Sequence, residues 1–223
     1  MLAKLASFRL HAARATLALG AVALLIPLSA RAGTPLICHP YNIGSAQSLP
    51  GSSGDWKGVN PSYDRTHLRR DTLHLLAPAT PVIVRMETLR RAAIYATAGM
   101  RGWGTKEGFT AEDRANTAAI LDALRTRMET ARGEALALAI FDYGFFVETL
   151  RHTGVNQDID GYALLSQARE LRGPDAEIEF ALALAGSWPK QRPERIDHLA
   201  RARAGAKPGS LLAQNLTTHF SGS

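Results

Sequence analysis

His67, Asp71 and His74 stand at i, i+4 and i+7 of the stretch "THLRRDTLH". On one α-helix, at about 100° per residue, the three project within about 60° of one another. Two imidazoles and a carboxylate on one face make a donor set for Zn²⁺, with the fourth position open or filled by His39 or Cys38. No H-E-x-x-H or related signature accompanies them. The same residues also read as a solvated flank, on which Asp71 pairs with nearby histidines and arginines while Leu68 and Leu75 form a separate apolar stripe.

Other stretches carry chemistry-bearing residues. "NQDIDGYALLSQ", Asn156 to Gln167, places Asn156, Asp158, Asp160 and Gly161 at positions 1, 3, 5 and 6 of a calcium loop. Position 12 is Gln167, and a neutral amide lacks the bidentate carboxylate that completes such a site. The acids are therefore expected to cap the helix that follows. "RMETLRR" puts Glu87 three and four residues before Arg90 and Arg91, the spacing of intrahelical ion pairs; a basic face for an acidic partner is the alternative. "GMRGWG" follows no strand, which argues against a phosphate cradle. "FDYGFF", Phe141 to Phe146, is aromatic at helical spacing and reads as core.

Cys38 is the chain's only cysteine. It cannot pair within the chain, so stability must come from packing. Ile37 before it is not the small residue that a bacterial lipid anchor needs, and a haem attachment lacks its first cysteine. The leading expectation is an apolar side chain tucked against the domain, with metal or redox chemistry as the alternative.

Residues 1–32 read as a secretory signal. Lys4, Arg9 and Arg14 precede the apolar run "TLALGAVALLIPL", and Ala30 and Ala32 supply an A-x-A site that would leave Gly33 first. The run is shorter than the roughly 20 residues of a spanning helix, so no stable membrane anchor is expected after cleavage and the destination is periplasmic or secreted. The chain carries 26 Lys+Arg and 20 Asp+Glu, a net +6; the signal holds four of the bases and no acid, which leaves 22 against 20, or +2. With no basic block interleaved with aromatics, nucleic-acid binding is not expected.

These residues need elements to position them. Residues 33–62 read as an irregular N-terminal segment rich in Gly, Ser, Pro and Asn. Residues 63–223 read as a helical domain with no strand alternation. Helices are expected over 63–76, 80–98, from 110 onward, 134–153, 161–172, 175–186, 193–206 and 210–220. Thr80 with Pro81 opens the second, and Thr110 with Asp113 forms a capping box for the third, which carries Ala118, Leu121, Leu124 and Met128 on one face. Gly154 is placed as a left-handed cap of the fourth.

Pro174 and Pro208 lie 34 residues apart, and the same shift aligns Phe146 with Phe180, Leu150 with Leu184, Tyr162 with Ile196, Leu165 with Leu199, Ala168 with Ala202 and Arg169 with Arg203. Over about 141–208 the chain resembles a degenerate tetratricopeptide (TPR) repeat, as in "AEIEFALALAGSWPKQRPERIDHLARARAGAKPGS". The Trp and Gly of that family's first helix are replaced, so its groove residues do not carry across. "ICHPYNIG" followed by a helical array also resembles uncharacterised exported bacterial proteins, which implies no activity. The resemblance implies an all-α fold of TPR-like antiparallel helix pairs, with an irregular bundle as the alternative. Together with the secretory signal, it makes the leading expectation an exported, non-enzymatic protein that binds a protein or peptide partner on its concave side without a cofactor. The rival expectation is a Zn-binding protein or Zn-dependent enzyme using His67, Asp71 and His74.

Overall fold

The computed structural model describes residues 35–51, 58–100, 107–155, 157–188 and 191–220. All belong to one unit, Ala32–Ser223. The secretory signal and Gly33, Trp56 of the N-terminal segment, much of "GMRGWG" and Asn156 of the calcium-like loop lie outside the described residues. Among those described, the structure is all-helical. The helices are α1 (Pro35–Cys38), α2 (Leu68–Leu75, entered through a 3₁₀ turn, Arg65–His67), α3 (Val82–Ala96), α4 (Ala111–Thr130), α5 (Glu134–Thr153), α6 (Gly161–Arg172), α7 (Ala176–Ala185), α8 (Arg195–Gly205) and α9 (Leu211–Phe220). No helix among them is long and apolar enough to cross a membrane.

Burial sorts the helices into inner and outer ones. In α5 every residue from Ala137 to Leu150 is buried; α3 is buried from Val82 to Arg90 and α7 from Ile178 to Ala185. Helices apolar around their whole circumference belong inside a domain. α4, α6 and α8 bury one stripe only, such as Leu165 and Ala168 of α6 and Leu199 and Ala202 of α8. A single apolar cluster runs from Leu36 to Phe220, and "FDYGFF" lies in it as expected.

Two helix pairs pack most extensively, α5 with α6 and α7 with α8. Both are antiparallel. The start of α6 meets the second half of α5, where Glu148 accepts the Tyr162 N–H at 3.0 Å. Gly205 at the end of α8 lies against Ala176 at the start of α7. The α5–α6 approach requires glycine on both sides. A Cβ on Gly144 would stand 2.8 Å from Leu164 Cβ, and one on Gly161 would stand 2.6 Å from the Gly144 carbonyl oxygen. Gly154 caps α5 with φ +95°, the left-handed conformation expected of it.

The Thr110–Asp113 capping box forms, with both reciprocal bonds present. Two expectations are corrected. Thr80 does not cap α3, because its hydroxyl donates to the Leu75 carbonyl; α3 begins after Pro81, and Glu177 of α7 accepts the Ile83 N–H at 3.1 Å. The buried face of α4 is Asp113, Thr117, Ile120 and Leu124, with Leu121 and Met128 half-buried at its edge and Ala118 exposed. Polar Asp113 and Thr117 hold that face inward because they bond to the end of α3: Thr117 to the Ala96 carbonyl and Asp113 to the Gly99 N–H.

The N-terminal segment is stapled into the core. Leu36, Ile37, Tyr41 and Leu49 are buried, and Cys38 is half-buried against the apolar cluster. Glu87, fully buried on α3, accepts from Arg90 at 2.7 and 2.9 Å, from Arg91 at 2.6 Å and from the Tyr41 N–H at 3.0 Å. Arg90 donates onward to the Ile37 carbonyl at 2.9 Å, and Arg91 to that of Leu49. The intrahelical pairs of "RMETLRR" are therefore present, but as a buried clamp on the segment. The alternative of a basic face is corrected, because Arg85 and Arg90 are buried.

Candidate functional site

α3 and α5 each carry one charged residue inside an apolar run, Arg85 in "VIVRM" and Asp142 in "FDYGFF". Helix packing turns them toward each other, and Arg85 Nη1 donates to Asp142 Oδ2 at 2.6 Å with both side chains almost wholly buried. Arg85 is otherwise satisfied by carbonyls of the α2–α3 turn, Nε by Thr80 at 2.9 Å and Nη2 by Ala77. The other carboxylate oxygen, Oδ1 of Asp142, is buried without a hydrogen-bond partner.

The pair lies at one cleft of about 240 Å³, walled by Leu76, Pro78, Ala135, Leu138 and Ala139, with Arg127 of α4 on its side. Arg127 donates to the Leu73 carbonyl at 3.2 Å and forms no ion pair among the described residues. Burial pushes the Asp142 carboxyl up to about 6, against the opposing fields of Arg85 and Arg127. A buried acid with an unused oxygen and a neighbouring unpaired guanidinium, in a mostly apolar cleft, are the few convergent polar groups that characterise small-ligand sites. An acceptor and a donor line the same cleft.

A second buried polar centre joins α7 and α8. Glu179 accepts from Arg169 at 3.0 Å and Arg201 at 2.8 Å, and its Oε2 lies 2.5 Å from His198 Nδ1. Arg201 Nη2 also lies 2.8 Å from His198 Nδ1, so the ring sits between the carboxylate and a guanidinium. Burial alone would raise the Glu179 carboxyl, but the bonds from His198, Arg201 and Arg169 outweigh it and hold it below the ordinary range. All of the carboxylate's partners come from the helices that Glu179 joins, α6 and α8, so it serves as a packing staple.

The sequence-selected residues fall elsewhere. His67 ends the 3₁₀ turn, exposed, with Nε2 3.9 Å from Asp64. Asp71 accepts from the Tyr63 hydroxyl and from Arg70 Nε, each at 2.9 Å. His74 is exposed. A 3₁₀ turn winds at about 120° per residue, so His67 does not keep the azimuth of a continuous α-helix. Among the described residues, no group of three or more His, Cys, Asp or Glu side chains is placed to hold a metal ion. Cys38 and His39 lie in the N-terminal segment, where His39 packs edge-on to His219 at 5.7 Å. In the calcium-like loop Asp160 caps α6, accepting the Ala163 N–H at 3.0 Å.

Arg85, Asp142 and Arg127 were not among the sequence-selected residues. For Arg85 and Asp142 the only signal in sequence is a charge within a locally apolar run, which requires a buried partner, whereas Arg127 lies on a charged helix and carries no such signal. No known protein family, curated protein or solved structure matches the chain.

Proposed function

We propose that the protein is an exported helical-repeat binding protein, in which α5–α6 and α7–α8 are two TPR-like pairs and the ligand is a peptide or protein segment. One observation carries this reading: α6 and α8 begin at Gly161 and Arg195, 34 residues apart, each after an inner helix on which it packs antiparallel. The burial pattern supports it. Phe146 and Phe180, Leu150 and Leu184, Leu165 and Leu199, and Ala168 and Ala202 are buried in both copies. The pairs depart at Tyr162, which is buried, and Ile196, which is 69% exposed. Stacked helix pairs share one continuous core and leave a concave surface for partners. Export rests on the signal-like residues 1–32.

Leu171 of α6 and Ile196 of α8 are the most exposed large apolar side chains described, at 54% and 69%. The test is a peptide-display selection on the purified chain, followed by calorimetric titration of enriched sequences. Saturable binding is expected, lost in a Leu171→Lys/Ile196→Lys double variant of unchanged stability. Failure to enrich any sequence, or binding indifferent to the double variant and to α5–α8, would reject the repeat surface as the binding element.

A further inference from the structure

The cleft between α3, α4 and α5 has chemistry that the helix repeat does not use. Asp142 Oδ1 is buried and unpartnered, and Asp142 is one of the residues that line the cleft. Arg127, on the same cleft, spends one N–H on the Leu73 carbonyl and keeps the rest of its guanidinium. The field of Arg127 reaches Asp142. With Arg85 neutralised by Asp142, the remaining charge is the single positive one on Arg127. A cationic ligand is disfavoured by that charge. An anionic ligand would set its oxygens against the unused oxygen of Asp142. A neutral group that both donates and accepts suits both side chains at once.

We propose that this cleft is a binding site for a primary carboxamide on a short apolar stem. The amide N–H donates to Asp142 Oδ1, and the amide oxygen accepts from Arg127. The stem lies against Leu76, Ala135, Leu138 and Ala139, and the volume of about 240 Å³ admits only a few carbon atoms beyond the amide. The same chemistry is offered by a free small amide and by the side chain of Asn or Gln in a peptide. Buried polar partners left unpaired are what make such a site reject close analogues.

Isotope-labelled protein is titrated at neutral pH with butyramide, butyrate and butylamine, reading backbone NMR shifts. Butyramide is expected to bind saturably in the millimolar range open to a ligand of about six heavy atoms, shifting Ala135, Leu138, Ala139 and Asp142. Butyrate and butylamine are expected to bind at least about tenfold more weakly. Butyrate binding as well as the amide would reduce the site to an anion contact of Arg127, and butylamine doing so would reduce it to a cation contact of Asp142; either overturns the proposal, as does no saturable shift with butyramide. N-acetylglutamine methylamide forms a further arm. Binding by it at the same residues assigns the peptide side chain as source, and its exclusion with butyramide still bound assigns a free amide.

Arg127→Met keeps the stem of a half-buried side chain and is expected to weaken butyramide about tenfold or more. Ala135→Leu, on the exposed first turn of α5, fills the cleft without touching the buried pair and is expected to abolish the shifts. Unchanged butyramide affinity in either folded variant overturns the site. Because the amide probes do not engage Leu171 or Ile196, failure here and failure of the peptide-binding reading are separable.

Discussion

Glu87 shows how far one carboxylate's role depends on burial. As an exposed partner at i, i+3 and i+4 it would contribute about 0.2–0.5 kcal/mol per pair. Fully buried, it holds two guanidiniums and a backbone N–H, and its loss removes the buried carboxylate that Arg90 contacts twice. Glu87→Gln is expected to cost about 3–5 kcal/mol in denaturant unfolding. His152 tests a different cost. Both its ring nitrogens are buried without partners beside Trp188, and burial, reinforced by Arg151, pushes its pKa from 6.5 down to about 3. Between those values the unfolded chain binds a proton that the fold does not, so stability falls as pH falls through that window, by at most about 1.4 kcal/mol per pH unit. His219, down to about 4, adds to the same trend. Asp142 acts oppositely: raised from 3.8 to about 6, it binds more protons folded than unfolded, so its contribution is lost as pH rises through that interval. Urea midpoints measured against pH should show a flatter acid limb in His152→Leu than in the parent; an unaltered slope would assign the acid sensitivity to other groups. None of these roles was legible from residue type. Sequence spacing gave Glu87 its arginines, but the carbonyls of Ile37 and Leu49 that complete the clamp lie 42–53 residues away.

Helix ends were legible where the capping group is local. Thr110, Gly154 and Asp160 each act within four residues of themselves, and each acts as its type and position suggest. The start of α3 was not, because its cap comes from Glu177, 94 residues downstream. Glu177→Ala is therefore expected to cost about 0.5–2 kcal/mol and to raise hydrogen exchange at Ile83, on a helix distant in sequence from the substitution. Unchanged exchange there would show that water serves the N–H equally well. The α5–α6 contact offers a second test. Gly144→Ala adds a Cβ that would stand 2.8 Å from Leu164 Cβ and 2.9 Å from the Gly161 carbonyl oxygen, and the helices must separate to admit it. A loss of about 1–3 kcal/mol is expected despite alanine's better helix propensity, and a gain would mean that the two helices yield freely. Helix periodicity located α4 but misassigned part of its face, since Asp113 and Thr117 are polar in type yet buried by bonds to α3.

For the whole molecule, the 34-residue recurrence was read from sequence through residues whose burial is governed by size and apolarity. Phe146→Ala and Phe180→Ala should each cost about 3–5 kcal/mol, and Leu165→Ala and Leu199→Ala about 2–5 kcal/mol. Ile196→Ala should stay within about 0.5 kcal/mol, because its side chain is exposed where its counterpart Tyr162 is buried. A high cost confined to Phe146 and Leu165 would reject equivalence of the two pairs. What the recurrence did not disclose is closure. The N-terminal segment meets α9 through Asn42, whose N–H reaches Asn215 Oδ1 at 2.8 Å and whose carbonyl accepts from Asn215 Nδ2 at 2.8 Å, across 173 residues of chain. Tyr41 stacks on His219 in the same contact. The order of synthesis follows from this. The Glu87 clamp on α3 can hold residues 37–49 before the last helix emerges, but the Asn42 contact completes only with α9, so chains ending before Leu211 should be cleaved by protease around Asn42 where the full chain resists.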